Sequence, residues 1–261
     1  MLFTFWMGKV TWLERLCFAS ATAAGHKLVV YSYEPLANLP SSVVRADAND
    51  VIQRDRVFRH RRSGSMATFS DLFRYEGLRR GLGTWIDADV LVLRHFPTSD
   101  IIMAQEMDLV GNSVLRLPSD HPFLAEMKRL SEARVLIAPH WPLKHKIHQI
   151  ARACIGRPMG LAEVKRATFG PPALTRYVDR NNLHHLVFPQ DVFFPLPWAQ
   201  ATDAFDPEVD ITHFFTSRTV AVHLWHSKVE HLKNAPPPPG SFLARMCEKY
   251  QVDFDADYET S

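Results

Sequence analysis

The sequence predicts an α/β fold, a mostly parallel sheet flanked by helices. Three observations carry that expectation. The chain opens with an apolar, aromatic run from Leu2 to Met7, a helical repeat from Trp12 to Ala24, and a Val- and Tyr-rich run from Lys27 to Tyr33. A strand–helix–strand start favours a crossover connection and a parallel strand pair. Strand-like and helix-like stretches then alternate along the chain rather than segregating. Finally, 261 residues with 46% apolar and 22% charged content suit one large core, so a single domain over 1–261 is expected.

The elements follow in order. Trp12, Leu13, Leu16, Cys17, Ser20 and Ala23 recur at helical spacing, and Gly25 sits where that helix stops. Residues 34–68 are polar, irregular and arginine-rich, which reads as a long surface segment. Thr68 or Ser70 caps a helix running to about Arg80, with Gly81 and Gly83 ending it. Trp85 to Leu93 is a run of β-formers interrupted by two aspartates. Met107 to Leu115 predicts a strand, and Pro122 to Ala133 a helix with proline at its start. Residues 143–168 predict helix in two pieces broken near Gly156–Gly160, and a further helix starts at about Pro171. Val220 to Trp225 predicts a late buried strand. A stiff stretch from Pro236 to Pro239 leads to a closing helix from Phe242 to about Tyr250.

Charge and cysteine content narrow the class. The net charge of +2 says little about partners, and no nucleic-acid partner is expected. Its distribution is uneven: Arg54, Arg56, Arg59, Arg61 and Arg62 crowd one segment, while Asp253 to Glu259 is acidic. No run of 18 apolar residues occurs, so no spanning helix is expected. The segment MLFTFWMGKV lacks a basic region followed by a long apolar core, so no secretory signal is expected. Cys17, Cys154 and Cys247 are odd in number and widely spaced, which suits unpaired thiols in a reducing cytoplasm.

The chemistry concentrates in residues 69–93, FSDLFRYEGLRRGLGTWIDADVLVL. Asp87 and Asp89 sit among apolar β-formers, where an unpaired carboxylate costs several kcal/mol or more. Residues i and i+2 share one side of a strand, so both carboxylates are expected to point together at or near a strand end. Such a pair suits a divalent metal and, through it, a diphosphate. No GxGxxG and no GxxxxGK[ST] occurs, so any nucleotide phosphates need another holder. A second DAD, at Asp255–Asp257, lacks the strand context and reads as a solvated charge run.

Other candidates each carry two readings. Asp71 and Arg74 share a helix face, as a surface ion pair or as a reader of sugar hydroxyls and phosphate. His223, beside Trp225 in AVHLWHS, is either a satisfied core histidine or a third metal ligand, with His226 competing for that role. Trp6 is either core or a stacking surface for a nucleobase at the carboxyl edge of the sheet. Asn112 hydrogen-bonds a sugar or caps a turn. Asp191, among the aromatics and prolines of FPQDVFFP, lines an acceptor pocket or an ordinary packed loop.

Taken together, FWMG at 5–8, GHKLVVYSYEP at 25–35, FSDLFRYEGL at 69–78, WIDADV at 85–90, FGPPAL at 169–174 and HLW at 223–225 resemble a known family. The chain resembles the small bacterial glycosyltransferases of family 32 with a DxD-containing sugar-binding region, including α-1,4-galactosyltransferase-like and capsular polysaccharide enzymes. More distantly it is similar to the glucosyltransferase domains of large clostridial toxins. The resemblance implies a type A glycosyltransferase fold with a Rossmann-like sheet, a sugar-nucleotide donor that is usually UDP-linked, and Mn²⁺ or Mg²⁺. It implies that Trp6 stacks on uracil and that Asp71 and Arg74 contact the donor sugar and phosphates. It also implies that Asp87 leans towards ribose and sugar, that Asp89 binds the metal, and that His223 completes the site with Trp225 packed near it. Two departures stand out: Leu82-Gly83 replaces the usual GG, and Trp85 replaces a frequent Tyr.

The resulting expectation is a retaining hexosyltransferase acting on a saccharide or glycolipid acceptor. Residues 1–115 are expected to bind the sugar nucleotide, 116–235 to face the acceptor, and 236–261 to form a proline-rich linker and tail. The expected site contains Asp87, Asp89, Arg74 and Asp191 for chemistry, with Trp6, Asp71, Trp85, Asn112, His223 and Trp225 around the donor. A two-step route needs a carboxylate nucleophile, for which Asp191 is the candidate; a front-face route needs none. The segment Arg54–Arg62 is a solvated loop or a contact with an anionic acceptor or membrane face, so a cytoplasmic protein peripheral to the inner membrane is one expectation. A metal-dependent phosphoesterase and a catalytically silent sugar-nucleotide-binding protein are the competing classes.

Overall fold

The computed structural model describes residues 1–165 and 167–254. The second DAD at Asp255–Asp257 lies outside the described residues, as does most of the acidic tail. The chain forms two compact units. One comprises Met1–Asp47, Ile86–Ser99 and the chain from Phe188 onward; the other comprises Ala48–Trp85 and Asp100–Val187.

The first unit begins with β1 (Leu2–Phe5), α1 (Trp12–Ala23), β2 (Leu28–Ser32) and β3 (Val44–Asp47). β1 pairs parallel with β2, and β2 parallel with β3, with α1 as the crossover between the first two. The expected α/β class holds. β3 falls inside the stretch expected to be irregular. Its Val44 is exposed, so the apolar signal of a buried strand is missing there.

α2 (Ala67–Arg79), in the second unit, starts one residue before the earlier of its two predicted caps. Its N-cap position is Met66, which offers no side-chain cap, and Ser65 Oγ just before it accepts from Ala67 N at 3.2 Å. Gly81, at φ +71°, takes the left-handed turn past the helix end. Next come β4 (Thr84–Ile86) and, in the first unit, β5 (Val90–Val92).

β6 (Ile102–Glu106) and β7 (Leu109–Arg116) form an antiparallel hairpin in the second unit. The sequence reading identified only β7. α3 (Pro122–Glu132), α4 (Leu143–Cys154) and α5 (Pro171–Asn181) complete that unit. Among the described residues the second helical piece expected up to residue 168 is absent: after Cys154 the chain runs through turns past Pro158 and Gly160. β8 (Val187–Phe188) follows. The remaining elements, α6 (Gln190–Phe193), β9 (Ala221–His223), α7 (His226–Val229) and α8 (Phe242–Lys249), belong to the first unit.

Burial of α1 fixes the floor of the first unit. Leu13, Leu16, Cys17 and Phe18 are buried together with Leu91, Val92 and Val222. Ser20 Oγ accepts from Val92 N at 2.9 Å, which ties α1 to β5 through a side chain rather than a ladder bond. β5 pairs antiparallel with β9 in the register Val90↔His223 and Leu91↔Val222. This pairing positions the candidate site.

Candidate active site

The chain leaves β4 at Ile86, turns through Asp87, Ala88 and Asp89, and enters β5 at Val90. Val90 N donates to Asp87 O at 3.1 Å, closing the turn. The two carboxylates lie together at strand ends, as expected, but a turn between two short strands brings them together rather than the shared face of one strand. Two carboxylates within a ladder would lose the water or cation each needs.

Across from this turn, the β5–β9 register places His223 opposite Val90, and Leu224 N donates to Asp89 O at 2.9 Å. His223 Nε2 lies 3.2 Å from Asp89 Oδ2. Ligand atoms of Asp87, Asp89 and His223 all lie within 4.8 Å of one another. Trp225 adopts a left-handed backbone, φ 56° and ψ 58°, which is rare for a bulky residue. That turn directs the next amide inward: His226 N donates to Asp89 Oδ2 at 2.7 Å. Trp225 packs its ring against His223 with centroids 4.3 Å apart, and its Nε1 donates to Leu196 O at 2.9 Å.

Burial by itself would raise the Asp89 carboxyl. The positive charge and hydrogen bond of His223, with the His226 amide, outweigh it and hold Asp89 well below the usual carboxylate range. Two carboxylates and one imidazole are a donor set that fits a divalent metal, and three protein donors leave coordination positions for a ligand.

His226, the competing histidine, is engaged elsewhere. Its Nε2 lies 2.7 Å from Lys233 Nζ and 3.5 Å from Glu14 Oε1. Glu14 is buried in α1, where its carboxylate accepts from Lys233 Nζ at 2.8 Å and from Thr11 N at 2.7 Å. Burial pushes Glu14 up, but His226, Lys233 and Thr11 together bring it down to about 2. Neither Glu14 nor Lys233 was singled out from the sequence. The available signal was Thr11–Glu14, the spacing of a capping box, which placed an acid on the apolar side of α1.

Trp6 follows β1 directly, and its Nε1 donates to Lys9 O at 3.1 Å. Its ring meets His226 edge-on at 6.0 Å, and Lys233 Nζ lies 5.5 Å from its centroid. Trp6 also lines a cavity of about 580 Å³ together with Gly8, Ser32 and Tyr33. That cavity sits at the carboxyl ends of β1 and β2, where parallel sheets place their ligands. Asp191, at the start of α6, is held by Arg218 Nη2 at 2.9 Å and by Thr216, and it does not join the Asp87–Asp89–His223 cluster.

In the second unit, α2 brings Asp71 and Arg74 together at 2.6 Å, both buried. Asn112 Nδ2 donates to Asp71 Oδ1 at 3.0 Å and contacts Tyr75 Oη at 3.3 Å. Tyr75 Oη donates to the carbonyl of Phe169, and burial pushes its hydroxyl pKa well up. Arg74 lies over the Trp85 ring at 4.8 Å. The surface ion-pair reading of Asp71 and Arg74 is thereby replaced by a buried network. Tyr75 was missed because nothing local marks a tyrosine that bonds across 94 residues.

One family comparison bears directly on this geometry. Residues 146–250 match the family model described as the alpha 1,4-glycosyltransferase conserved region. The matched stretch contains His223, Trp225, His226, Lys233 and Asp191; the Asp87–Asp89 turn precedes it. The match supports a glycosyltransferase and agrees with the resemblance read from the motifs. No curated protein matches the sequence. Among solved structures, the PaToxG glycosyltransferase is similar over 96% of this chain and 84% of its own, at 12% identity and a TM-score of 0.42.

Proposed function

We propose that the chain is a metal-dependent, retaining glycosyltransferase that moves a hexose from a UDP-sugar to a hydroxyl of a saccharide or lipid-linked glycan. The observation that carries this reading is the Asp87–Asp89–His223 cluster, joined through His226 to the Trp6-lined cavity. The family match over residues 146–250 supports the same class of reaction.

In this reading Trp6 stacks on uracil, Asp87 faces ribose and sugar, and Asp89 and His223 hold the ion. When bound, Mn²⁺ or Mg²⁺ supplies Lewis-acid charge for a diphosphate leaving group. Trp225 keeps His223 oriented by packing on its ring. The carboxylate of Asp71 and the amide of Asn112 are hydrogen-bonding groups for sugar hydroxyls, and Arg74, braced by Trp85, supplies positive charge for phosphate. Residues 1–115 are assigned to the donor and 116–235 to the acceptor, with 236–261 as a tail. A cytoplasmic location suits this donor.

The bond from the anomeric carbon to phosphate breaks, and a bond to the acceptor oxygen forms on the same face. The acceptor proton passes to the leaving phosphate, so this front-face route uses no protein nucleophile. The Asp191 carboxylate, bound by Arg218 and Thr216, is a poor nucleophile as it stands, which favours that route.

Titration calorimetry with UDP, UDP-sugars and GDP-mannose, in Mn²⁺ or EDTA, tests the reading. UDP binding that requires Mn²⁺ and weakens at least ~10-fold in Asp87→Ala is expected. Absence of nucleotide binding, with phosphate release from simple esters, would replace the transferase by a phosphoesterase. UDP binding without turnover on any acceptor would leave a sugar-nucleotide-binding protein.

A further inference from the structure

α4 is amphipathic in the wrong sense for a helix packed on its own core. Its buried residue is Gln149, whose side-chain amide bonds Met159 N at 2.8 Å and Met159 O at 3.1 Å. Its large apolar residues point outward instead. Leu143 is 71% exposed, Ile147 57% and Ile150 48%, and Ile155, just past the helix end, is 70% exposed. Leu143, Ile147, Ile150 and the exposed Cys154 fall within an arc of roughly 60° at 3.6 residues per turn.

The charges around this stripe have one sign. LKHKIHQIARAC contains no acid; Lys144 and Lys146 flank the stripe on either side, and His148 and Arg152 lie further round. A second basic segment joins it. Arg61 N donates to Ala162 O at 2.7 Å, and Glu163 accepts ion pairs from both Arg61 at 3.3 Å and Arg152 at 3.8 Å. Arg54, Arg56, Arg59, Arg61 and Arg62 are all exposed, so the arginine-rich segment continues the basic surface at the C-terminal end of α4.

We propose that α4 is an interfacial helix that seats this unit on an anionic lipid surface, its apolar stripe among acyl chains and its lysines among headgroups. A cationic helix with aliphatic residues on one face is the physical match for such a surface. Among the described residues no helix is long and apolar enough to cross a membrane. A second copy of the chain is a poor occupant. A two-fold interface sets each patch against itself, so lysines and arginines would meet their own kind.

The test is co-sedimentation with vesicles of equimolar phosphatidylglycerol and phosphatidylcholine, against pure phosphatidylcholine. Binding to the anionic vesicles is expected, weakened at least ~10-fold on neutral vesicles or in high salt. The double variant Ile147→Asp/Ile150→Asp, checked for unchanged folding by circular dichroism, is expected to lose at least ~10-fold in affinity. Cys154 gives a second readout: it is exposed while Cys17 and Cys247 are buried, so an environment-sensitive thiol dye reports from the stripe. Its emission is expected to shift to the blue on anionic vesicles. No binding of the wild-type chain, equal binding of the double variant, or binding without a dye shift would each overturn the proposal. So would a dimer in analytical ultracentrifugation that the double variant dissolves.

Discussion

Asp89 and Asp71 are both buried acids with a basic partner, yet they are built in opposite ways. Asp71 finds Arg74 three residues later on the same helix turn. Asp89 finds His223 only because β9 pairs with β5, and it takes a backbone amide from His226, 137 residues away. Local spacing thus encodes the Asp71–Arg74 pair, while the Asp89–His223 pair exists only once distant strands have met. The first can form as soon as α2 does; the second reports on completed folding of its unit.

The largest expected effect follows from that difference. Asp89→Ala leaves the buried His223 and the His226 amide without this acceptor, at a cost of about 4 kcal/mol. Asp87→Ala, at a half-buried turn position, is expected to cost about 1 kcal/mol while weakening Mn²⁺-dependent UDP binding as described above. Urea unfolding of the two variants checks this. Equal losses would mean that Asp89 is not the structural member of the pair.

Next comes the local network. Arg74→Ala removes the cationic partner of the buried Asp71 and is expected to cost about 3 kcal/mol. Arg74→Lys keeps the charge but loses the planar contact with Trp85, and is expected to cost about 1 kcal/mol. If the two substitutions unfold at the same urea concentration, the stacking on Trp85 matters as much as the charge.

A further effect is spread over pH. Glu14 is held at about 2, below its ordinary 4.5. A depressed folded pKa means the unfolded chain binds the proton first. The stabilisation is fully present above pH 4.5 and is lost as pH falls towards 2, by roughly 3 kcal/mol in total. His26 adds to the acid side at higher pH. Burial and the neighbouring His95 bring it to about 4, so stability also falls as pH drops from 6.5 towards 4. Thermal melts from pH 7 to pH 2 are expected to fall in both windows. A flat profile between 4.5 and 2 would show that Lys233 and His226 do not stabilise the Glu14 carboxylate.

Much of this was legible along the chain. The strand–helix–strand opening, the glycine stop after α2 and the proline starts of α3 and α5 follow from local sterics and hydrogen bonding. Two errors arose where local pattern competed with context. The segment after Cys154 reads as helix, yet Pro158 and Gly160 interrupt it before a second piece can nucleate. The aspartate pair reads as part of a strand, yet the chain turns there so that both carboxylates keep polar partners. β3 and β6 escaped notice because polar residues break their apolar runs: Arg45 and Asp47 in β3, whose Val44 is exposed, and Gln105 and Glu106 in β6.

The sequence by itself determined which residues carry charge, which faces are apolar, and that two carboxylates stand one residue apart in an apolar run. It also set the outward stripe of α4, since helical spacing alone lines up Leu143, Ile147 and Ile150. Only the tertiary structure decided that the ring of His223 rather than that of His226 meets Asp89, that Glu14 and Lys233 brace His226, and that the stripe faces solvent rather than the core. The reason is range. Spacing along a helix or strand fixes neighbours within one turn or one pleat, while partners more than a hundred residues apart are chosen by which strands pair and in what register.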